Sequence, residues 1–258
     1  MVVADLHVHT TRSDGQISPE SVADAARRAD LDAVAITDHD RLPPFSEPWI
    51  ERQDVTVIAG IELRVRTDDQ LLDLLGYGVA QTDALETELE RLQEDRIERA
   101  RAIVEQVEAR LGVDLDVSFE PGVGRPHIAA AIADSEAPYD VSETFEHLLG
   151  DDGPCYVARE IPSFQRGREL LGEAARVVSL AHPLRYDDPD SALTHARDLD
   201  ALELAYPYDE AVDRSSVART IDEYDLLATG GSDAHGTTLG AAGLDRPAYE
   251  RFRARLER

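Results

Sequence analysis

The amino-acid sequence predicts an α/β protein built on a parallel sheet, closed as a barrel or open and doubly wound. Three observations carry this. Short apolar, β-branched runs alternate with amphipathic helical stretches, each run ends in a polar cluster, and the histidines and acids collect in those clusters. At 258 residues the chain is either one large α/β domain or a domain with an insertion, and either buries a sizeable core.

The first run, Ala4-Asp5-Leu6-His7-Val8-His9-Thr10, has the character of a buried strand, with Val2, Val3, Leu6 and Val8 as its apolar residues. Side chains alternate along a strand, so Asp5, His7 and His9 point the same way. A polar turn, Thr11 to Gly15, leads to Ser18-Pro19-Glu20, which caps a helix reaching about Asp30 with Val22, Ala25, Ala26 and Ala29 as its buried stripe. Ala33 to Thr37 is continuously apolar, as in a strand covered on both faces, and ends in Asp38-His39-Asp40. An irregular segment with Pro43, Pro44 and Trp49 precedes a strand, Val55 to Ala59, that leads into Gly60-Ile61-Glu62. Leu71 to Val79 reads as the next strand.

Between about Thr82 and Glu160 the alternation stops. Leu85, Leu89, Leu92, Ile97, Ala100, Val104, Val107 and Leu111 mark one long amphipathic helix, and shorter helices follow near His127 to Ala133 and Val141 to Leu149. Residues 82–160 are therefore read as a helical insertion covering one side of the site, the other reading being enlarged barrel helices. The barrel is then residues 1–81 and 161–258. A helix from Phe164 to Ala175 leads to the strand Val177 to Ala181, ending in His182-Pro183. The strand Ala201 to Leu204 ends in Ala205-Tyr206-Pro207. A helix around Glu210 to Tyr224 leads to Leu226 to Thr229 and then Gly230-Gly231-Ser232-Asp233-Ala234-His235-Gly236. A final surface helix is expected from Pro247.

Acidic residues outnumber basic ones 53 to 26, the formal charge is −27, and every basic residue of these is arginine. That bias reads as adaptation of the surface to high salt, where a Debye length of roughly 3 Å at 1 M removes most of the repulsion toward an anionic substrate. No stable nucleic-acid complex is expected from such a charge. One cysteine, Cys155, excludes an internal disulfide and is read as a buried thiol; with no signal segment and no membrane-length apolar run, a cytoplasmic protein is expected.

His7, His9 and Asp14 follow the first strand, Asp38 and His39 the second, Glu62 the third, His182 a later one, and Asp233 and His235 the last. In parallel α/β sheets the carboxyl ends of the strands lie on one face, where sites are built. Histidines and carboxylates gathered there form a metal centre. His7-Val8-His9, Asp14, Thr37-Asp38-His39, Gly60-Ile61-Glu62, Ala181-His182-Pro183 and Gly231-Ser232-Asp233-Ala234-His235 together resemble the motif set of the polymerase and histidinol phosphatase (PHP) family, in order and over nearly the whole chain. Gly124-Arg125-Pro126-His127 and Gly153-Pro154-Cys155-Tyr156-Val157 resemble the branch containing nucleotide phosphatases and 5′→3′ exonucleases, which carries a helical insertion.

The resemblance implies a distorted (β/α)7 barrel and two to three divalent ions. His7, His9, Glu62 and Asp233 would hold one ion. Glu62, His127 and His182 would hold a second, and Asp14, His39 and His235 a third. With no thiolate among the ligands, Mn²⁺, Fe²⁺ or Zn²⁺ are expected. Asp5 and Asp38 are read either as carboxylates that orient the imidazoles or as strand-end caps. Glu62, Asp233 and His182 are the expected catalytic residues, with a hydroxide bridging the two ions that share Glu62 as nucleophile.

Phosphate contacts need cationic forks, and Arg125, Arg159 and Arg12 are the candidates, each alternatively a surface ion pair. Tyr77 and Tyr206 could stack on a base or serve as packing. The expected activity is hydrolysis of a phosphate ester, in a 3′,5′-bisphosphate nucleotide or at the 5′ end of a short oligonucleotide. Histidinol-phosphate phosphatase, another small-molecule phosphatase and a non-catalytic binding module are the alternatives.

Overall fold

The computed structural model describes residues 1–209 and 212–258. The chain divides into two compact units, Met1–Thr87 with Ile161–Arg258, and Glu88–Glu160.

The first unit is a mixed sheet wrapped by helices. Its elements are β1 (Ala4–Val8), α1 (Val22–Arg28), β2 (Ala33–Ile36), β3 (Trp49–Arg52), β4 (Val55–Arg66) and β5 (Leu71–Tyr77). They continue with α5 (Phe164–Ala174), β6 (Val177–Leu180), α6 (Pro189–Leu193), β7 (Ala201–Ala205), α7 (Ser215–Tyr224), β8 (Leu227–Gly230) and α8 (Arg246–Leu256). The start expected at Glu210 for the helix preceding β8 lies outside the described residues. The strand order is β1-β2-β4-β5-β6-β7-β8, with β3 on the side of β4. The end meets the beginning where the segment after β8 bonds to β1: His9 N–H donates to Ala234 O at 3.0 Å and Ala234 N–H to His7 O at 3.3 Å.

The strands were expected to be parallel. β1, β2 and β4 are, as are β6, β7 and β8, but β4 with β5 and β5 with β6 are antiparallel, as is β3 with β4. The reason is chain length. Only residues 67–70 separate β4 from β5, and a parallel crossover takes a dozen or more residues. Thr67 closes this turn, exchanging bonds with the Gln70 backbone. β4 also runs well past Ala59. Thr56 to Ala59 pair with β2 and Gly60 to Arg66 with β5, so Glu62 sits inside a strand, just past the point where its pairing partner changes.

Alternation along β2 sorts the core. Ala33 and Ala35 pack with Leu6, Ile58, Leu75, Tyr77, Val177 and Phe252, while Val34 and Ile36 pack with Val22, Ala26 and Val57 beneath α1. Tyr77 is fully buried edge-on against Phe252, at 5.2 Å between ring centroids, which makes it a packing residue and not a base-stacking one. The closing helix α8 contributes Tyr249, Phe252 and Leu256 to the same cluster.

In the other unit, α2 (Asp83–Leu111), which begins in the first, is followed by α3 (Arg125–Ala133) and by α4 (Val141–Thr144), which runs into a wider turn at Phe145–Leu149. Ala100, Ile103, Val104, Val107, Ile128, Ile132 and Leu149 form its core, with Cys155 buried among them. None of the described helices is long and apolar enough to cross a membrane.

Candidate metal centre

Backbone bonds between strand ends bring the site's side chains together. Asp40 N–H donates to Glu62 O at 2.9 Å and Glu62 N–H to Asp38 O at 3.2 Å, which clips the loop after β2 onto the middle of β4 and sets His39 beside Glu62. Gly231 passes so close to β1 that a Cβ there would lie 2.3 Å from the His7 Cβ, so only glycine lets Asp233 approach the imidazoles. Asp233 itself has φ +50° and His182 has φ +29°. Such left-handed backbone costs roughly 1–3 kcal/mol and persists only where surrounding bonds enforce it. For His182 the enforcing contact is its N–H, which donates to Glu203 Oε2 at 2.8 Å.

Glu62 is the hub. Its Oε2 lies 3.4 Å from His7 Nε2, 3.2 Å from His9 Nε2 and 3.0 Å from His39 Nδ1, and its Oε1 lies 3.2 Å from His182 Nε2. Asp233 Oδ1 lies 3.4 Å from His7 Nε2 and 3.1 Å from His9 Nε2. Asp14 is 3.8 Å from both His9 and His39 and 3.4 Å from His235. Three donor groups result, each with its ligand atoms within 4.8 Å of one another: His7, His9 and Asp233; His9, Asp14, His39 and His235; and Glu62, Asp73 and His182.

These donors fit a divalent cation. His7 Nε2, both ring nitrogens of His9, Asp14 Oδ1 and Glu62 Oε2 are buried without a hydrogen-bond partner among the described residues. Buried polar atoms are ordinarily paired, and those left over here converge from imidazoles and carboxylates, the donor types of Mn²⁺, Fe²⁺ and Zn²⁺. The His7 ring is set for it: Nδ1 faces both Glu203 oxygens, at 3.2 and 3.3 Å, which leaves Nε2 toward the cluster.

The charges are strongly coupled. Burial alone would strip the protons from His7 and His9, but the carboxylates around them reverse this. Glu203, Glu62 and Asp233 hold His7 well above its ordinary value, and Asp233 and Glu62 push His9 up to about 10. Burial would conversely protonate the acids. The imidazoles of His39, His7 and His182 instead hold Glu62 well below the carboxylate range, and those of His235, His39 and His9 do the same for Asp14. His7 and His9 likewise depress Asp233. A cation bound here would have to displace the protons that these carboxylates favour on the imidazoles.

The structure brings together His7, His9, Glu62 and Asp233, as it does Asp14, His39 and His235. At the second expected position Asp73 meets Glu62 and His182. His127 belongs to the other unit, on α3, where its Nδ1 accepts the Gly124 N–H at 3.2 Å. In that unit Arg125 donates to Leu149 O and to Asp151, and Arg159 to Asp95. Arg12 donates to Leu42 O. Asp5 and Asp38 touch no imidazole nitrogen in these bonds. Asp5 accepts from Ser232 N–H and Oγ–H and from Gly240 N–H, and Asp38 from Thr10 and Ser13, so both fasten loops to strand ends. Orientation of His7 falls to Glu203. Tyr206 donates to Asp233 Oδ2 at 2.9 Å, and Arg185 reaches the same oxygen at 3.1 Å.

Sequence reasoning passed over Asp73 and Glu203, although one signal marks both. Each is a lone acid at the centre of an apolar strand, Leu71-Leu72-Asp73-Leu74-Leu75 and Ala201-Leu202-Glu203-Leu204-Ala205. An acid so placed is buried and needs a partner.

A distorted α/β barrel with a histidine- and carboxylate-lined centre at its strand ends defines the class. The PHP domain model matches residues 5–214, and the chain belongs to that family. It is similar to the 3′,5′-nucleoside bisphosphate phosphatase of Chromobacterium violaceum, with 26% identity over 285 residues covering 100% of this chain and 99% of the relative. It is 26% identical over 270 residues to a 5′-3′ exoribonuclease of Haemophilus influenzae, covering 96% and 98%. Among solved structures, an amidohydrolase from Chromobacterium violaceum with bound sulfate and no metal superposes with a TM-score of 0.81 at 26% identity, covering 98% of this chain and 96% of that one.

Proposed function

We propose that the protein is a cytoplasmic metal-dependent phosphoesterase acting on nucleotides, either a phosphomonoester of a 3′,5′-bisphosphate nucleotide or the 5′ end of a short oligonucleotide. The convergence on Glu62 of four imidazoles, with donor atoms left unpaired, carries this reading. The phosphate-ester activities named for relatives that match the chain end to end support it.

In this reading Glu62 is shared between ion positions. His7, His9 and Asp233 complete the first, His182 and Asp73 the second, with His127 kept as the further ligand expected for it, and Asp14, His39 and His235 the third. Divalent ions held there would supply Lewis acidity toward a phosphoryl oxygen and toward water. Glu203 keeps His7 in one tautomer and one orientation, and Tyr206 keeps Asp233 turned so that Oδ1 faces the imidazoles. Arg185 lies beside Asp233 with its side chain 54% exposed, a guanidinium within reach of an arriving phosphate. Arg125, Arg159 and Arg12 are kept as further phosphate contacts.

The test is an assay of purified protein in high salt with Mn²⁺ against nucleoside bisphosphates, short RNA and DNA, and simple phosphomonoesters. Phosphate or nucleotide release that EDTA abolishes and Glu62→Gln removes is expected. Full turnover after EDTA, or release from histidinol phosphate alone, would overturn the assignment.

A further inference from the structure

Arg64 and Asp73 stand directly opposite each other in the antiparallel register of β4 and β5. The guanidinium forks onto the carboxylate, Nε donating to Oδ1 and Nη2 to Oδ2, both at 2.8 Å. Asp73 is 2% exposed, and its N–H donates to the Tyr186 hydroxyl at 2.8 Å, which in turn donates to Ala181 O. The carboxylate is therefore fixed in place with both oxygens engaged. Asp73 Oδ2 nevertheless lies 3.8 Å from His182 Nε2, inside the Glu62–Asp73–His182 donor group.

A carboxylate has about four lone-pair sites, so the fork leaves room for a second cation on Asp73. That cation meets a guanidinium on the same carboxylate, and arginine cannot relieve the repulsion by losing its proton. Asp233 differs. Its arginine and tyrosine contacts fall on Oδ2, and Oδ1 is left facing His7 and His9. The donors around Asp14 are all imidazoles.

We propose that Arg64 holds Asp73 as a weakened metal donor and thereby makes the Glu62–Asp73–His182 position the last of the three to fill and the first to exchange its ion. Arg64 is on this account a positioning residue that sets the order of metal occupancy. The inference rests on the metal-binding reading above, and it is read by metal binding without any hydrolysis.

The experiment titrates the metal-stripped full chain with Mn²⁺, following free ion by electron paramagnetic resonance and bound ion by elemental analysis. Wild type should take up two ions tightly and a third at least about tenfold more weakly. Arg64→Met should tighten the third constant by about tenfold or more and leave the first two unchanged, and Arg64→Lys, with a charge but no fork, should fall between. Asp73→Asn should lose the third ion alone. Three equal constants in wild type, or an Arg64→Met third constant that is unchanged or weaker, would overturn the proposal. Thermal melting supplies a control: Arg64→Met should lose stability without metal and regain it with Mn²⁺, whereas an equal loss in both states means a purely structural ion pair. Should Arg64→Met not fold, Arg64→Lys decides by the same criterion. Folded wild type that binds no Mn²⁺ at all would instead overturn the phosphoesterase reading.

Discussion

Asp233 and Asp73 are two carboxylates around the same hub, one sharing His7 and His9 with Glu62 Oε2 and the other sharing His182 with Oε1, and each is met by an arginine. The outcomes differ because the arginines take different numbers of oxygens. Of the two Asp233 oxygens Arg185 reaches Oδ2, which Tyr206 also holds, and Oδ1 faces His7 and His9. Arg64 takes both oxygens of Asp73. One arginine leaves an oxygen free toward the imidazoles and the other engages both.

The contrast is tested most sharply by removing one charge from each end. Asp233→Asn should lower kcat/KM by about 10³-fold or more, because Oδ1 is the carboxylate oxygen shared by His7 and His9. Asp73→Asn should cost only about 10- to 100-fold, as expected for a donor already shared with an arginine. Equal losses in steady-state assays at saturating Mn²⁺ would erase the distinction. Glu203→Gln comes next. It keeps one acceptor for His7 Nδ1–H but removes the charge, and should weaken Mn²⁺ binding about 10-fold while far-ultraviolet circular dichroism stays native. An unchanged affinity would mean that Glu203 serves only to hold the His182 backbone.

Most of the centre was legible because its histidines and carboxylates sit at strand ends in short motifs. His7, His9, Asp14, His39, Glu62, His182, Asp233 and His235 could all be named from local pattern. Asp73 and Glu203 could not be, because alternation along a strand says only that an acid is buried, and its partner is fixed by register with a strand far away in sequence. Arg64 and Asp73 become neighbours only once β4 and β5 pair antiparallel. That direction was itself readable from the four-residue link between them and was outweighed by the βα rhythm around it. β3 was hidden by the prolines before it, and β4 read as ending at Glu62 because nothing local marks a strand that changes partners midway.

A smaller effect separates the cluster's protons from its cations. In metal-free protein His9 is held at about 10, above its unfolded value of about 6.5, so its contribution to stability is fully present below about pH 6.5 and is lost as pH rises through 10. Asp14, Glu62 and Asp233 are depressed, so theirs is present above the ordinary carboxylate range and is lost as pH falls below it. Metal-free melting temperature should therefore be highest near pH 5–6, within about a unit, and decline toward pH 9. Bound ions require unprotonated imidazoles, so the gain in melting temperature from Mn²⁺ should widen over the same rise. A metal-free melting temperature that climbs from pH 6.5 to 9 would contradict the imidazolium–carboxylate picture of the centre.

The smallest expected effect returns to the two arginines. Arg185 is 54% exposed, and its partner Asp233 keeps the Tyr206 hydroxyl when the guanidinium is removed. Solvent screens such a pair, and Arg185→Gln should change unfolding free energy by less than about 1 kcal/mol in denaturant titrations of the metal-free protein. Its expected signature is kinetic instead, a higher KM with kcat nearly kept, since the side chain is placed to meet substrate and not to hold the ligand. Arg64 is itself 35% exposed, but its partner is 3% exposed and takes no other side-chain hydrogen-bond donor among the described residues, so Arg64→Met strands a buried charge and should cost several times more, about 3 kcal/mol. Equal costs for the two substitutions would mean that Asp73 is solvated or relieved in some other way, and the competition on which the order of metal filling depends would be absent.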